Sequence, residues 1–521
     1  MKRIDQAKYA AISAVALVLG LSLQQSAALA EAWKFGVIGD TQQTKSGGLN
    51  SVATEIITAI NTKFIEENVE FVLQVGDLTD NGSTAGLQTR LDINADLTAA
   101  GIRFFGLRGN HEGSSTAATF FQNNYVPSTG NGYNVSVAAD NLTYSFTYNN
   151  AKFLMLDYSM TSGNATNLDT VTNWMNGQFA VNDYDHAFVL QHKNMLGQNH
   201  KDNVFGSSND SNPTQQNNFI KAMEDGGVRY NLSGHDHVHH RAEVTSPDGQ
   251  SKVTQIINAS ASTKFYTPRS PYSTRETVFN HELYNIGYYV YTVDGPRVTV
   301  EHFGVPHNNY NIPANPQWTL RDTFGYSLNG KQFTIARDQT YTTVTDSVAA
   351  GNGFLGTTMQ ILDGSNTTTV TATGSRATVD DLNTGWANAA DSGFAGASDV
   401  LYLWGMANAL GSDQTDTFVL SMSFDPIKTL GSLADGSTFI ATQKDDGTWV
   451  NAVDLNFGGT KAFVLGAYEN TYGLGTYGID PTNNTAWAVI NHNSQFGVVP
   501  EPASLALLAI GAGAMMLRRK H

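Results

Sequence analysis

The chain of 521 residues contains no cysteine. Disulfide bonds, thiolate nucleophiles, thiolate zinc sites and iron–sulfur clusters are therefore excluded. Charged residues are also scarce, at 15%, and the formal net charge is −16. So few cations argue against a nucleic-acid-binding surface, although they do not exclude a small phosphorylated substrate at a metal site. Any metal must be bound by His, Asp, Asn, Gln or Glu.

The N-terminus has the features of an export signal. Lys2, Arg3 and Lys8 precede the apolar stretch YAAISAVALVLGLSL, and Ala28-Leu29-Ala30 has the A-x-A form of a cleavage site. This order predicts a signal peptide over residues 1–30, removed after Ala30. The alternative is a helix that remains buried in the fold.

The C-terminal residues 498–521 form a second signal. Pro500-Glu501-Pro502 precedes an apolar run that is shorter than the ~20 residues of a comfortable membrane span, and Arg518-Arg519-Lys520 follows it. This three-part order resembles the PEP-CTERM sorting signal of Gram-negative bacteria. The resemblance implies export, recognition by sorting machinery and attachment to the membrane before processing. It also implies a final place at the cell surface, in the outer envelope or in the extracellular matrix. The alternative is a plain hydrophobic tail helix.

Residues 31–305 alternate short apolar strands with helical stretches, which predicts an α/β layered domain. The predicted strands include KFGVIGD, VEFVLQVGD, IRFFGLRGN, KFLMLDYS, HAFVLQHK and RYNLSGHDH. The predicted helices lie in SVATEIITAINTKFIEEN, NLDTVTNWMNGQF and TQQNNFIKAMEDGG. A hairpin around Asp294-Gly295 closes the domain.

A Pro- and Asn-rich linker is predicted over residues 306–318, and residues 319–496 have a different composition. Strand-like segments with turn-rich separators predict an all-β, sandwich-like module there. These segments are KQFTIA, TTTVTATG, DTFVLSMSFD, STFIATQ and KAFVLGAY. The module contains no cluster of residues that indicates catalysis.

Polar side chains repeatedly follow the predicted strands of the α/β domain. They are Asp40, Asp77, Asn110, His111, His192, His235 and His237. Because ligands bind beyond the carboxyl ends of strands in α/β sheets, several of these residues could converge on one edge. Imidazole suits Zn and Fe, and carboxylate or carbonyl oxygens suit Mg and Mn. A carboxylate bridges two metals well, and Asp77 is the natural choice.

The motifs Asp-x-(His), Gly-Asp-x-x-Asp, Gly-Asn-His-Glu, His and Gly-His-x-His occur in this order between Trp33 and Gly304. The series resembles the calcineurin-like metallophosphoesterases. This resemblance implies a layered β-sandwich flanked by helices and a cofactor of two divalent ions, drawn from Mn, Fe, Zn or Mg. It implies that Asp40 and His237 bind the first metal, and that Asn110, His192 and His235 bind the second. Asp77 would bridge the two ions.

The resemblance also implies a reaction, in which two cations bind a phosphate and generate a metal-bound hydroxide that attacks phosphorus. His111 would be the catalytic histidine that binds no metal, and it could donate a proton to the leaving group. Asp80 and Glu112 fit the motifs better as residues that orient the ligands than as ligands.

Gln42 departs from the family pattern, which has histidine at this position as a further ligand of the first metal. Its amide is a poorer donor to Zn or Fe than imidazole. Gln42 could bind the first metal weakly and shift its preference toward Mn or Mg. It could instead hold a metal-bound water, or the first site could be empty.

Nine further histidines lie outside the motifs. His239 and His240 lie beyond the last motif, so they are not predicted to bind the metals or the substrate. The remaining seven are predicted to lie at the surface or in loops: His186, His200, His281, His302, His307, His492 and His521.

These observations favour an exported metal-dependent phosphoesterase that acts on phosphomonoesters or phosphodiesters. The alternative is a surface or matrix protein that acts by adhesion or binding and whose phosphoesterase domain is weakened or inactive. His111 and Asp77 favour the enzyme, because no structural need explains them, whereas Gln42 favours the alternative.

Overall fold

The computed structural model describes residues 32–500 with gaps. The gaps are 44–47, 129, 131, 162–163, 207–210, 269–272, 309–310, 337–356, 365–378, 388–393, 395, 410–411, 430–432 and 445. The predicted signal peptide, most of the sorting segment and the predicted strand TTTVTATG lie outside the described residues. Among the helices that can be described, none is both long and apolar enough to cross a membrane.

Two sheets form the core of the N-terminal half. The strands are β1 (Trp33–Ile38), β2 (Phe71–Gln74), β3 (Arg103–Gly106), β4 (Asn134–Val137), β5 (Tyr144–Tyr148), β6 (Ala151–Leu156), β7 (His186–Gln191), β8 (Val228–Ser233), β9 (His239–Thr245), β10 (Lys252–Ile257), β11 (Glu276–Glu282), β12 (Asn285–Asp294), β13 (Arg297–Pro306) and β14 (Thr319–Ser327). The first sheet has the order β14-β13-β12-β1-β2-β3, and the second has the order β11-β9-β10-β8-β7-β6-β5-β4. The strands that carry the predicted site are parallel neighbours within each sheet: β1, β2 and β3 in the first, β7 and β8 in the second.

Aromatic side chains fill the space between the two sheets. Phe35 of β1 stacks on Tyr291 of the same sheet, with ring centroids 4.6 Å apart. Its edge contacts Phe153 and Phe188 of the second sheet at 5.1 and 5.3 Å. Stacked and edge-to-face pairs of this kind add to the burial energy of the rings. The aromatic layer therefore fixes the position of the two sheets relative to each other.

Among the described residues, six α-helices cover the outer faces of the sheets. They are α1 (Thr54–Glu66), α2 (Thr84–Asp92), α3 (Ala95–Ala99), α4 (Ser115–Asn124), α5 (Ala165–Phe179) and α6 (Pro213–Asp225). α1 packs Ile56, Ile60 and Phe64 on the first sheet. α5 and α6 cover the second sheet, with Leu168 and Phe219 among the buried side chains. The prediction of a layered β-sandwich flanked by helices is confirmed.

The C-terminal half is an all-β module, as predicted. Its strands are β15 (Lys331–Ala336), β16 (Thr358–Ile361), β17 (Val379–Ala387), β18 (Val400–Trp404), β19 (Gln414–Ser423), β20 (Phe439–Gln443), β21 (Trp449–Asn451), β22 (Ala462–Leu465), β23 (Thr476–Asp480), β24 (Thr485–His492) and β25 (Gln495–Val499). They form a six-stranded sheet, β15-β17-β18-β25-β20-β21, and a five-stranded sheet, β16-β19-β24-β23-β22. Phe418, Ile490 and Phe496 belong to the shared apolar core of the two sheets.

The predicted boundary at residue 319 differs from the edge of the sheets. β14 (Thr319–Ser327) pairs with β13 and so extends the first sheet of the N-terminal domain. The reason is that the linker turns the chain back, so that β14 lies antiparallel to β13. The C-terminal module then packs against the same region, where Trp404 Nε1 donates a hydrogen bond to Thr299 Oγ1 at 2.8 Å.

The prediction of surface or loop positions was wrong for four histidines: His186, His281, His302 and His492 are all buried. Each lies on a strand, where sheet packing covers it. His186 is held between Tyr326 and Gly295, since its Nδ1 lies 3.0 Å from the tyrosine hydroxyl and its Nε2 lies 2.8 Å from the glycine carbonyl oxygen. His239 and His240 are buried on β9. His521 lies outside the described residues.

Candidate metal centre

The ends of strands from both sheets meet at one edge of the sandwich. Asp40 and Asp77 follow the neighbouring strands β1 and β2, and His192 and His235 follow the neighbouring strands β7 and β8. At this edge Gly39 forms a parallel bridge with residue 260, just beyond β10, and thereby joins the two sheets. Strand ends that are far apart in sequence are therefore brought into direct contact.

Two groups of acidic and histidine side chains lie at this edge, and they share one carboxylate. Asp40, Asp77 and His237 form one group, and Asp77, His192 and His235 form the other. In each group the potential ligand atoms lie within 4.8 Å of one another. All five side chains are buried. The shared position of Asp77 is the geometry that a bridging carboxylate requires.

Hydrogen bonds to the backbone fix two of the imidazole rings. His192 Nδ1 lies 2.9 Å from the Val75 carbonyl oxygen, and His237 Nδ1 lies 2.5 Å from the Lys264 carbonyl oxygen. Because a carbonyl oxygen only accepts, each Nδ1 donates its hydrogen, which leaves Nε2 as the ring atom that could bind a metal. This is the usual way in which a protein prepares a histidine to bind a metal.

Asn110 and Gln42 bring amide groups to the two groups of ligands. Asn110 Oδ1 lies 2.8 Å from His192 Nε2, which in turn lies 3.2 Å from Asp77 Oδ1. Gln42 Nε2 lies 2.9 Å from Asp77 Oδ2 and 3.1 Å from His237 Nε2. The buried Oε1 of Gln42 has no hydrogen-bond partner among the residues that the structure describes. An unpaired buried carbonyl oxygen is costly, and a cation could compensate that cost.

The backbone is strained at four of these residues. Asp40, Asp77, His235 and His237 have φ values of 50°, 47°, 71° and 55°. Such left-handed conformations cost on the order of 1–3 kcal/mol each, and they concentrate at functional sites. All four strained residues are members of the two ligand groups.

Neighbouring glycines leave the space that the ligands occupy. A Cβ atom at Gly109 would lie 2.0 Å from Asp77 Oδ1, and a Cβ atom at Gly234 would lie 2.6 Å from Asp40 Oδ2. No side chain fits at either distance. The glycines in the two motifs are therefore required by the close approach of a carboxylate to a second strand end.

Burial and uneven charge shift the pKa values of the centre. Burial, together with the charge of Asp77, raises the pKa of Asp40 to about 8. Burial alone would lower the pKa of His192, but the adjacent Asp77 raises it to about 9. Burial lowers the pKa of His237 to about 3. The pKa of Asp40 is raised because nearby positive charge does not offset its burial, whereas the pKa of Asp77, despite its burial, is held well below its usual range by His192 and His111. A divalent ion beside Asp40 would supply the missing positive charge.

Glu112 and Asp80 brace the loops instead of joining the ligand groups. Glu112 is buried, and its carboxylate accepts hydrogen bonds from the backbone N–H groups of Thr79 and Gly109 at 2.9 and 3.0 Å. It thus ties the loop after β2 to the loop after β3. The Asp80 carbonyl oxygen lies 2.5 Å from His111 Nδ1 and orients that ring. The sequence-based prediction gave both residues this orienting role.

The structure adds two residues that the sequence did not single out. The Lys264 carbonyl oxygen holds His237, and its ammonium group lies 3.1 Å from Asp80 Oδ1. Asp236 is buried, and it accepts backbone hydrogen bonds from Asn199 at 3.1 Å and His200 at 2.9 Å. Asp236 lies between the predicted ligands His235 and His237 in the sequence, so the motif could have indicated its role. Lys264 stands in no motif, so only the fold reveals it.

The shared Asp77 and the converging strand ends are the pattern of a known family. Residues 34–239 match the family of calcineurin-like phosphoesterases. Residues 498–520 match the PEP-CTERM protein-sorting motif. Both resemblances predicted from the sequence are confirmed, and the sorting motif indicates an exported protein of a Gram-negative bacterium. No curated protein sequence matches the chain.

Several solved structures are similar to part of this chain. PhoD shares 14% identity over 58% of this chain and 70% of its own, with a TM-score of 0.40. Purple acid phosphatase PPD1 from yellow lupin shares 13% identity over 57% of this chain and 54% of its own, also with a TM-score of 0.40. GAP50, the anchor in the inner membrane complex of Plasmodium, shares 15% identity over 52% of this chain and 84% of its own, with a TM-score of 0.36.

Proposed function

We propose that this protein is an exported phosphoesterase that hydrolyses phosphomonoesters or phosphodiesters at a centre of two divalent metal ions. The observation that carries the proposal is the pair of ligand groups that share Asp77. Asp40, Gln42 and His237 would hold the first ion with Asp77. Asn110, His192 and His235 would hold the second ion with the same carboxylate.

The donors present fit divalent ions. Two carboxylates, three imidazoles and two amides supply oxygen and nitrogen atoms but no sulfur, which suits Mn, Fe, Zn or Mg. When bound, the ions would neutralise phosphoryl charge and lower the pKa of a coordinated water. The buried, unpaired Oε1 of Gln42, close to the atoms of the ligand groups, supports a direct role for Gln42 at the first ion.

His111 is placed to move a proton. Its backbone N–H donates to Asp77 Oδ1 at 3.1 Å, which sets the residue beside the bridging carboxylate. Its Nδ1 donates to the Asp80 carbonyl oxygen, so proton exchange takes place at Nε2. Nε2 lies 3.7 Å from Asp77 Oδ2, and the side chain is 26% exposed. A protonated Nε2 could therefore reach the leaving oxygen of a substrate on the open side of the centre.

The test begins with metal-free protein. Mn, Mg, Zn or Fe is added, and the hydrolysis of a chromogenic monoester and a chromogenic diester is measured. We expect turnover with at least one metal and its loss in Asp77→Ala. Asp225→Ala, on the exposed end of α6, is the matched control and should keep full activity.

The alternative function is adhesion or binding by a surface protein with an inactive phosphoesterase domain. Gln42 is the observation that favours it, because an amide replaces the expected imidazole. Absence of turnover with every metal, or equal turnover in Asp77→Ala, would contradict the proposed enzymatic function and favour this alternative.

A further inference from the structure

We propose that Lys264 is a substrate-binding residue that makes the enzyme selective for phosphomonoesters over phosphodiesters. The inference rests on the proposed function and names the substrate class of the same site. At neutral pH a monoester carries a charge of about −1.5 to −2, because its second pKa is near 6. A diester lacks that second ionisation and carries a single charge. An ammonium group beside the reacting phosphate would therefore favour the monoester.

Lys264 is held at the centre by its backbone. Its carbonyl oxygen accepts the hydrogen bond of His237 Nδ1, and its N–H donates to Ser262 Oγ at 3.2 Å. Two residues further along, the ring of Tyr266 contacts the His237 ring edge-on, with centroids 4.8 Å apart. The start of the Lys264 side chain is consequently fixed relative to a proposed ligand of the first ion.

The ammonium group of Lys264 lies on the side of the centre where His111 is exposed. Lys264 Nζ lies 3.1 Å from Asp80 Oδ1, and the same carboxylate oxygen lies 3.9 Å from His111 Nδ1. The side chains of Lys264 and His111 are each 26% exposed, whereas those of the proposed ligands Asp77 and His237 are buried. The cation and the proposed proton donor therefore face the same open space.

Charge balance explains why a dianion needs Lys264 there. The side chain of Asp80 is 24% exposed and stands beside His111. Lys264 compensates this carboxylate, and an ammonium group has three N–H donors, of which one suffices for Asp80. Without Lys264, the uncompensated Asp80 would repel a dianionic phosphate more than a monoanionic one.

Inorganic phosphate, a dianion near pH 8, is the binding probe. Its affinity for metal-loaded, full-length protein is measured by calorimetry for the wild type, Lys264→Met and Lys264→Arg. A charged hydrogen bond contributes about 1.5–3 kcal/mol, so we expect phosphate binding to weaken about 10- to 100-fold in Lys264→Met. Lys264→Arg should recover most of the affinity. Lys221→Met, which removes an exposed lysine of α6, is the control and should bind phosphate normally.

The second measurement is the ratio of kcat/KM for a monoester to that for a diester with the same leaving group. Lys264→Met should lower this ratio at least about tenfold, mainly through the KM of the monoester. Metal content is measured in parallel, because the backbone and not the side chain of Lys264 holds His237.

An unchanged ratio and unchanged phosphate affinity would overturn the inference while the proposed function stands. Lost metal in Lys264→Met would also overturn it, and would show that the side chain supports the centre. A wild type without metal or turnover would overturn both proposals.

Discussion

Two buried clusters that contain Asp and His differ in how their charges are compensated. The first is the candidate metal centre at the strand ends of the N-terminal domain. The second lies where the domain meets the C-terminal module, and its members are His239, Arg241, Asp322 and Asp381. We refer to the second as the interface cluster. Arg241 binds Asp322 at 2.9 Å within the domain and Asp381 of the module at 2.9 Å.

The pKa values of one aspartate in each cluster are shifted in opposite directions. Burial by itself would raise the pKa of Asp322, but Arg241 and His239 hold it well below its usual range. Burial raises the pKa of Asp40 to about 8, because His192 and Lys264 compensate only part of the penalty. Arg241 and His239 thus compensate Asp322 within the protein, whereas the compensation of Asp40 in the candidate metal centre is incomplete. Both clusters contain buried Asp and His. The degree to which opposite charges compensate the buried carboxylates therefore distinguishes a structural cluster from a functional one.

The largest effect should come from the bridging carboxylate. Asp77→Asn keeps the shape of the side chain but removes the charge that both ions would share. We expect kcat/KM to fall about 1000-fold or more, since metal ions contribute several kcal/mol to the stabilisation of such transition states. Added metal should stabilise the wild type by about 2.7 kcal/mol at 100 times its Kd, and this gain should vanish in the variant. Thermal unfolding with and without metal measures it, and an equal gain in both proteins would contradict a shared ligand.

The second-largest effect should be a loss of stability when the interface cluster is disrupted. Arg241→Met leaves two buried carboxylates without their cation, so we expect the free energy of unfolding to drop by about 3–5 kcal/mol. Chemical denaturation measures this loss, and metal stoichiometry should stay at the wild-type value. Lys252→Met is a suitable control, because Lys252 pairs with Glu243 near the surface. If metal binding fell as much as stability, the two clusters would not be independent.

The third-largest effect should be the pH dependence of the stability of the metal-free protein. The folded-state pKa values of Asp40 and His192 are raised to about 8 and about 9, so both groups stay protonated in the folded state above their unfolded values. Their contribution is present at lower pH and is lost as pH rises through these values, by up to about 1.4 kcal/mol per pH unit for each group. Denaturation of metal-free protein at pH 7, 8 and 9 should show this decline. Saturating metal should abolish it, and a decline that persists with metal would contradict the assignment.

The smallest effect should come from Gln42. Gln42→His replaces an amide with a stronger donor to Zn, so we expect about a tenfold gain in Zn affinity at one of the two sites. Competition with a chelator measures the affinity of each site. Gln43→His is the neighbouring control, because Gln43 lies within 3.0 Å of Thr263 Oγ1 and outside the ligand groups. Equal affinity in wild type and Gln42→His would place Gln42 away from the first ion.

Much of the candidate site could be predicted because its residues follow strands in short motifs. Asp40, Asp77 and His235 stand beside glycines at the ends of apolar runs, and the structure brings all three together as expected. The histidines of β9 to β24 could not be assigned in this way. His302 is buried against His239, with ring centroids 4.1 Å apart, through pairing of strands that no local pattern reveals. Lys264 was missed for the same reason, since its role depends on distance in space.

The sequence by itself determined the absence of thiol chemistry, the alternation of strands and helices in the N-terminal half, and the residue types at the strand ends. These are local properties, set by the period of apolar residues and by glycine beside several of the polar residues. The tertiary structure decided which carboxylates are compensated. Arg241 reaches Asp381 only because the C-terminal module packs on the N-terminal domain, and Asp40 is left short of positive charge only because two sheets meet at one edge. Charge compensation acts through space, and the fold alone fixes those distances.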